Sequence, residues 1–316
     1  MSNCHNLFQE YNTKISLSQS KKDKMTASKT ALRERIATWF KKNHPDYEPK
    51  FYIQGSYKMK TGIRTEEDIC DLDDGIYFFR RPDVSSTTLQ SWVKQAVDGH
   101  TETPAQHRKK CIRTVFAGDY EVDHPVYIKE KYIDYAIAVK DNGFENSDPK
   151  AMVDWFNGKK DQNGQLVRIV KYLKSWCDYK KNKHRMPNGL AMSILASNAI
   201  EKFTLNIKDD ITLRDVLKEI KKSLDINFSC YVPVVPYDNL FEDYDATRRN
   251  NFMNALDDFI ADAEKALKET NQYQASKLWR KHLGDRFPMG ENKEENPDSF
   301  HTAIMGGAKS SYPYGI

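Results

Sequence analysis

The sequence predicts an α+β protein with two lobes, an N-terminal lobe built on a mixed β-sheet and a C-terminal lobe built from helices. Two observations lead to this prediction. Runs of β-branched and aromatic residues that read as strands are confined to the first half of the chain. From about residue 149 onward, apolar residues recur instead at three- and four-residue spacing. A cleft between two such lobes is where ligands usually bind.

The N-terminal lobe, predicted over residues 1–145, combines helical and extended patterns. Apolar residues at helical spacing predict a first helix, and a polar Lys- and Ser-rich segment then leads into a second helix over ALRERIATWFKKNHP. One further helix is predicted over TTLQSWVKQAVDG. The predicted strands are KFYIQ, DLDDGIYFFRR, CIRTVFAG, YEVDHPVYIK and YIDYAIAVK. Pro125 should end regular strand pairing or place it at an edge.

The C-terminal lobe is predicted over residues 146–288 and a flexible tail over 289–316. Four long amphipathic segments carry the helical spacing: QLVRIVKYLKSWCDYKKN, GLAMSILASNAIEKF, TLRDVLKEIKKSLD and NNFMNALDDFIADAEKALKET. The last segment is rich in Gly, Ser, Asn and Glu and has no periodicity, which is typical of a mobile terminus.

Composition narrows the classes of function. The net charge of +4, from 49 basic and 45 acidic residues, is too small to indicate a DNA-coating protein. Five separated cysteines without a C-x-x-C pair support neither a disulfide framework nor a zinc ribbon. No apolar run approaches the ~18 residues of a membrane helix, and the N-terminus lacks a secretory signal pattern. We therefore expect a cytoplasmic protein with no membrane partner.

Acidic residues crowd the stretch CDLDDGIYFF and its approach. On an extended strand, Asp71 and Asp73 point to one face with their Cα atoms about 7 Å apart, while Leu72 faces the core. Two carboxylates on one face make a natural site for a hard cation such as Mg²⁺. Asp74 points the other way and is interpreted as a turn or hydrogen-bonding residue. Asp68 precedes the strand and is interpreted as a solvated loop residue.

A Gly-Ser pair and a later aspartate extend this pattern. Gly55-Ser56 lies at a break between a strand and a short helix, where glycine lets a phosphate approach the backbone and the Ser56 hydroxyl adds a hydrogen bond. In YEVDHPVY, Asp123 lies on a strand as a candidate third carboxylate, and Glu121 shares its face or bridges a lysine. Each feature alone also fits a solvated surface, but their combination favours a metal and phosphate site.

These residues resemble a known family. QGSYKMKTG, CDLDDGIYF and YEVDHPVY are similar to the signature of polymerase-β-type nucleotidyltransferases. They resemble most closely the bacterial cGAS/DncV-like nucleotidyltransferases (CD-NTases) of CBASS anti-phage systems. RIVKYLKSWCDYKK and MPNGLAMSILASNAI are similar to the OAS-like helical region that follows the catalytic core in that family. The resemblance implies a polymerase-β-like core with a central active-site cleft.

The resemblance also implies a catalytic and metal-binding set, Asp71, Asp73 and Asp123. Asp71 and Asp73 would hold two Mg²⁺ ions, for which Mn²⁺ can substitute, and Asp123 would complete the acceptor-side site. One ion would bind the donor triphosphate. The other would lower the pKa of the acceptor hydroxyl and position it in line with the α-phosphate.

A second set of residues is implied for the donor nucleotide. Gln54, Gly55 and Ser56 would contact its phosphates. Lys171 matches the position of a triphosphate-binding lysine, although it fits a solvated helix position equally well. Family members often have a serine near the start of the following helix, where this chain offers Asn188.

The activity implied by the resemblance is the synthesis of a cyclic oligonucleotide messenger from nucleoside triphosphates, with pyrophosphate released. ATP and GTP are the expected substrates, and a cGAMP-like cyclic dinucleotide is the preferred product, acting on a downstream effector in anti-phage defence. The tail is a candidate binding site for regulatory proteins. The zinc-binding insertion of the animal relative has no counterpart here, so DNA activation is not implied.

Two alternatives remain open. The first is another nucleotidyltransferase, making linear oligonucleotides or modifying RNA, tRNA or an antibiotic. The second is a catalytically silent sensor of nucleotides or RNA. Basic runs at 108–110 and 180–185 are compatible with nucleic-acid contacts, but such runs more often form solvated faces.

Overall fold

The structure is a computed structural model that describes residues 3–130, 134–182, 184–204 and 206–292. Almost all of the predicted tail, from residue 293 onward, lies outside the described residues. The helices are α1 (His5–Ile15), α2 (Gln19–Asn43), α3 (Gly55–Met59), α4 (Ser86–Val97), α5 (Pro149–Gly158), α6 (Gln165–Lys180), α7 (Gly189–Ile200), α8 (Asp209–Ile226), α9 (Ala246–Lys268) and α10 (Gln272–Leu283). The strands are β1 (Lys50–Ile53), β2 (Cys70–Phe78), β3 (Gln106–His107), β4 (Ile112–Phe116), β5 (Tyr120–His124), β6 (Val126–Ile128), β7 (Ala136–Val139) and β8 (Gly143–Asn146).

In the described part of the chain, the strands form one mixed sheet of eight strands around β2. β5 and β6 run parallel to β2 along one of its edges, and Pro125 separates them, as its lack of a backbone donor predicts. β1 pairs antiparallel with β2 on the other edge. β4 and β3 continue the sheet beyond β5, and β7 and β8 continue it beyond β6. The predicted α+β class with a mixed sheet is confirmed.

Two large hydrophobic clusters correspond to the two lobes. One joins the sheet to α2 and α4, and the other joins α5 through α10. Helix α1, which falls within the predicted N-terminal lobe, buries Phe8 and Tyr11 in the helical cluster rather than against the sheet. Apolar periodicity identifies which face of a helix is buried but not which lobe covers it.

Helix α2 begins much earlier than predicted. It starts at Gln19, capped by the Ser18 side chain, whereas the sequence pattern placed its start near Ala31. The polar N-terminal half is held by tertiary contacts, since Met25 is fully buried and the Lys21 amine lies 3.2 Å from Asp119. These partners come from distant parts of the chain, so they are invisible to local periodicity.

A tight turn over residues 140–142 joins β7 and β8 into a hairpin. Asp141 and Gly143 have φ values of 59° and 76°, and β8 folds back on β7 with Ala138 opposite Phe144. The strand that follows carries the chain to the interlobe region at Asn146.

None of the described helices combines the length and apolar character required to cross a membrane.

A buried ion pair ties together α6 and α8. Nε and Nη2 of Arg168 donate to the Asp209 carboxylate at 2.7 and 2.8 Å. Gln165 and Tyr172 donate to the same carboxylate at 3.0 and 2.9 Å. Burial alone would raise the pKa of Asp209, but these hydrogen bonds outweigh it and the pKa is lowered.

We expect Asp209→Ala to lower the free energy of unfolding by about 3–5 kcal/mol at neutral pH, because Arg168 would be left without its carboxylate in a buried site. Since the folded-state pKa of Asp209 lies below the unfolded value, its contribution should decline as pH falls through that pKa. Urea unfolding across this pH range measures both effects. Asp285→Ala is the matched control, since Asp285 pairs with Arg280 but is 99% exposed, and a surface pair contributes about 0–1 kcal/mol. An Asp209→Ala effect equal to the control would contradict the prediction.

Candidate active site

Strand β2 and its parallel neighbour β5 bring the predicted carboxylates together. The register places Asp71 opposite Glu121 and Asp73 opposite Asp123. Leu72, between the two aspartates, is buried on the other face of the sheet. Because side chains alternate along a strand, all four carboxylates share one face. Glu121 is therefore a member of the acidic group, which we call the carboxylate face (Asp71, Asp73, Glu121 and Asp123).

Arg113 contacts this face from β4 and was not identified from the sequence. It lies directly opposite Asp123 in the antiparallel register. Its Nε and Nη2 donate to the two Asp123 oxygens at 2.7 and 2.8 Å. The guanidinium also pairs with Glu121, and its Nη2 lies 4.0 Å from Oδ1 of Asp71. Glu121 thus bridges an arginine rather than a lysine.

The carboxylate face carries excess negative charge. The pKa of Asp73 is raised to about 7, first by burial and then by repulsion from Asp123 and Asp71. Lys174 and Arg113 oppose this shift without cancelling it. A cation placed among these side chains would relieve the repulsion.

The chemistry of the face fits a hard divalent cation, because carboxylate oxygens are the ligands that Mg²⁺ and Mn²⁺ prefer. Asp71 and Asp73 line the cleft, whereas both oxygens of Asp123 are engaged by Arg113. Among the described residues, no three His, Cys, Asp or Glu side chains already form a metal-ligand group.

The two other acidic residues of this stretch have separate partners. Asp74 is fully buried and accepts from Nε of Arg33 at 2.8 Å and from the Nη2 of the same side chain. This agrees with its interpretation as a hydrogen-bonding residue. Asp68 is about half exposed at 53%, but it also forms ion pairs with Arg64 and Lys21.

Gly55 and Ser56 begin the short helix α3 beside Asp73. Gly55 has a φ of 60°, and a Cβ atom at this position would overlap Oδ2 of Asp73. Only glycine combines this backbone conformation with so close an approach. Both residues line the cleft, so the predicted break at Gly55 and Ser56, which we call the Gly55-Ser56 turn, lies next to the carboxylate face.

The side chain of Gln54 is largely occupied by neighbouring tyrosines. Its Nε2 donates to the Tyr127 hydroxyl at 3.0 Å, and its Oε1 accepts from Tyr77 at 2.8 Å. Gly75 leaves room for this arrangement, since a Cβ there would lie 2.6 Å from Oε1. Gln54 lines the cleft but is only 7% exposed. Its hydrogen bonds to the two tyrosines hold in place the residue that immediately precedes Gly55.

Of the two lysines Lys171 and Lys174 on α6, Lys174 lines the cleft, and it lies one turn beyond the predicted Lys171. Nζ of Lys171 donates to Ser16 at 2.9 Å. Nζ of Lys174 donates to the carbonyl and hydroxyl oxygens of Thr61, both at 3.2 Å. Burial lowers the pKa of Lys174 to about 8, while Asp73 and Asp71 act in the opposite direction. Both lysines lie on α6, and only the tertiary contact with Thr61 distinguishes them.

Asn188 acts as the N-cap of α7, because its side chain accepts from the Ala191 backbone N–H at 2.9 Å. The cleft is lined beside it by Gly189. A Cβ at Gly189 would lie 2.9 Å from Cε of Lys174, so this glycine leaves room for the lysine. The described hydrogen bond of the Asn188 side chain is this cap, and its predicted contact with a phosphate stays a prediction.

The cleft between the lobes has a volume of about 710 Å³. This is within the range of pockets that bind nucleotide-sized ligands. Its walls come from both lobes, and they include Ser147, Asp148, Met152, Pro187, Val234 and Leu240. The carboxylate pair, the Gly55-Ser56 turn and Lys174 lie together on one part of this surface.

Comparison of the sequence with known proteins gives three similarities. Residues 49–127 match the family model described as "Cyclic GMP-AMP synthase DncV-like, nucleotidyltransferase domain". A cyclic GMP-AMP synthase of Escherichia albertii is 28% identical over 250 residues, covering 70% of this chain and 55% of the relative. A cyclic AMP-AMP-AMP synthase of an Acinetobacter species is 28% identical over 277 residues, covering 80% of this chain and 77% of the relative.

The crystal structure of the Vibrio cholerae DncV cyclic AMP-GMP synthase superposes with a TM-score of 0.77 at 17% identity, covering 90% of this chain and 97% of that one. This likeness shows the fold, and it confirms the predicted architecture of a mixed-sheet core followed by a helical lobe. The chain spans about half the length, 55%, of the Escherichia albertii relative.

Proposed function

We propose that this chain, which belongs to the cGAS/DncV-like nucleotidyltransferases, joins nucleoside triphosphates into a cyclic oligonucleotide and releases pyrophosphate. The observation that carries this proposal is the register of β2 and β5. It puts Asp71 and Asp73 beside Asp123 and next to the Gly55-Ser56 turn. Carboxylates beside a phosphate-accepting turn are what nucleotidyl transfer requires.

Asp71, Asp73 and Asp123 would hold two Mg²⁺ ions, or Mn²⁺ in their place. Bound there, the ions would lower the pKa of the acceptor hydroxyl and neutralise charge on the donor phosphates. The backbone at Gly55 and the Ser56 hydroxyl would orient the triphosphate. Lys174, which lies beside the carboxylates and the turn, would supply a positive charge, which is the role predicted for Lys171.

The two lobes would contribute by orienting two nucleotides in one cleft and excluding water from it. Cyclisation needs two or more transfers in the same cleft, so the linear intermediate must turn between steps. ATP and GTP are the proposed substrates, and a cGAMP-like dinucleotide is the preferred product, consistent with the name of the Escherichia albertii relative. The Acinetobacter relative is named for a trinucleotide, so the assay must resolve product size. We assign the product to anti-phage signalling through a downstream effector.

The test is incubation of the protein with the four labelled NTPs and Mg²⁺ or Mn²⁺, followed by phosphatase treatment and mass spectrometry. A phosphatase-resistant cyclic product is expected, and it should be absent from the Asp71→Ala plus Asp73→Ala variant. Linear products alone, or label on added tRNA, would support the alternative of a different nucleotidyltransferase. NTP binding without turnover would instead indicate a catalytically silent sensor.

Lys174→Met is expected to weaken NTP binding by roughly 10- to 100-fold, because hydrogen bonds to charged groups contribute about 1.5–3 kcal/mol. Lys171→Met is the matched control, since it removes the same side chain one turn away, where the amine contacts Ser16. Isothermal titration calorimetry with a nonhydrolysable NTP measures both. Equal losses for the two variants, or a larger loss for Lys171→Met, would contradict the placement of Lys174.

A further inference from the structure

Arg113 is the one strongly basic group paired directly with the carboxylate face among the described ion pairs. Its two hydrogen bonds to Asp123 occupy both oxygens of that carboxylate. The pair is poorly solvated, with the Arg113 side chain 17% exposed and that of Asp123 12% exposed. A bidentate bond of this kind is strong and geometrically specific.

Arg113 cannot leave the site by losing its proton. Hydrogen bonds to Asp123, together with the nearby charge of Glu121, raise the guanidinium pKa further above its already high value. A second cation that needs Asp123 must therefore compete with a permanent positive charge. The incoming cation must displace the guanidinium and is repelled by its charge, and a change of pH does not remove this charge.

Glu121 gives Arg113 a second partner on the same strand. Nη1 of Arg113 contacts Glu121, whereas Nε and Nη2 hold Asp123. The guanidinium can therefore give up a bond to Asp123 and still keep a carboxylate partner. Nη2 of Arg113 also lies 4.0 Å from Oδ1 of Asp71, so the charge of Arg113 attracts this cleft-lining carboxylate as well.

Another arginine–aspartate pair on β2 shows how this arrangement differs from a purely structural one. Arg33 binds Asp74 through the same Nε and Nη2 atoms, but Asp74 is fully buried and faces away from Asp73. The two pairs have the same chemistry and lie close together, because Asp123 is the register partner of Asp73 and Asp74 is the next residue on β2. Of these two pairs, only Arg113–Asp123 lies on the same face of the sheet as the cleft-lining Asp71 and Asp73.

We propose that Arg113 is the resident counter-cation of the carboxylate face and that a divalent cation gains Asp123 by displacing it toward Glu121. Arg113 therefore acts as a positioning residue that sets metal affinity. Arg113 keeps Asp123 ordered and partly neutralises its charge before a metal ion binds. Because the metal ion must displace Arg113, it binds weakly until the nucleotide adds its phosphate oxygens as further ligands. This inference rests on the proposed metal-binding role of Asp71, Asp73 and Asp123.

The test is Mn²⁺ binding to the full chain without nucleotide, measured by electron paramagnetic resonance of free Mn²⁺, together with thermal unfolding in EDTA and in Mn²⁺. Arg113→Gln is expected to tighten the Kd for Mn²⁺ by about tenfold, because a nearby unit charge is removed from the site. In EDTA the variant should melt below the wild type, and saturating Mn²⁺ should narrow that difference. Neither readout requires catalytic turnover.

Arg33→Gln is the matched control. It should lower the melting temperature equally in EDTA and Mn²⁺ and should leave the Kd for Mn²⁺ within about twofold, since Arg33 does not contact the carboxylate face. An Arg113→Gln variant with an unchanged or weaker Kd would overturn the inference and make Arg113 a scaffold for Asp123. Absence of saturable Mn²⁺ binding to both wild type and variant would overturn the metal-site proposal as well.

Discussion

Asp73→Asn is expected to lower the rate of pyrophosphate release by roughly 10³-fold at saturating NTP and Mg²⁺, because losing several kcal/mol of transition-state stabilisation corresponds to such a factor. Asparagine keeps the size of the side chain but removes the charge on the central strand β2. The measurement is a coupled pyrophosphate assay, with chromatography of the cyclic product.

Loss of folding would not explain that result. Burial, with repulsion from Asp123 and Asp71, raises the pKa of Asp73 to about 7, so its ionisation opposes folding as pH rises above the unfolded value. Removing this charge should therefore leave the melting temperature in EDTA at pH 8 equal to or above that of the wild type. A large activity loss with no loss of stability is the signature expected of a functional carboxylate.

Asp68→Asn provides the comparison within the same acidic stretch. Asp68 is 53% exposed and bonds to Arg64 and Lys21 rather than to the carboxylate face. Its variant should retain the wild-type rate within about twofold, as expected for a surface ion pair of small energetic effect. A rate above one tenth of the wild-type value in Asp73→Asn would remove Asp73 from the proposed metal site.

Local patterns were sufficient to predict the central part of the site. Period-two alternation on β2 separates Asp71 and Asp73 from Leu72 and Asp74, and the structure has this same division of faces. The strand that carries Asp123 could also be predicted, because YEVDHPVY has a strand-forming composition with a proline break. The proximity of Asp123 to Asp73 came from the family resemblance, because a sequence pattern does not give strand register.

The residues that were missed depend on long-range pairing. Arg113 faces Asp123 across the β4–β5 pair, and nothing in CIRTVFAG distinguishes it from a solvated arginine. Lys174 and Lys171 differ only in whether the amine meets Thr61 or Ser16. The start of α2 was misplaced for the same reason, since its polar half is held by partners distant in sequence. Sequence patterns were sufficient to predict which side chains share a face of a strand or helix. The partner of each side chain depends on how distant elements pack together.

Gly55→Ala is expected to reduce activity by about 100-fold or more, because small misplacements of reacting groups can cost that factor. Two effects combine at this position. The φ of 60° is left-handed, which costs a non-glycine residue about 1–2 kcal/mol. The new methyl group would also overlap Oδ2 of Asp73, so that the carboxylate must turn away from the cleft. The measurements are the rate of pyrophosphate release and the free energy of unfolding.

Gly118→Ala separates these two effects. Gly118 has a comparable φ of 73°, but no heavy atom lies within 4 Å of the position that the alanine methyl group would take. This variant should share the backbone cost of about 1–2 kcal/mol and keep near-normal activity. If both variants lost stability equally but only Gly55→Ala lost activity, the loss would be due to the contact with Asp73. Equal activity in the two variants would mean that the Gly55–Asp73 approach has no part in the reaction, and the phosphate-binding role proposed for this turn would have to be abandoned.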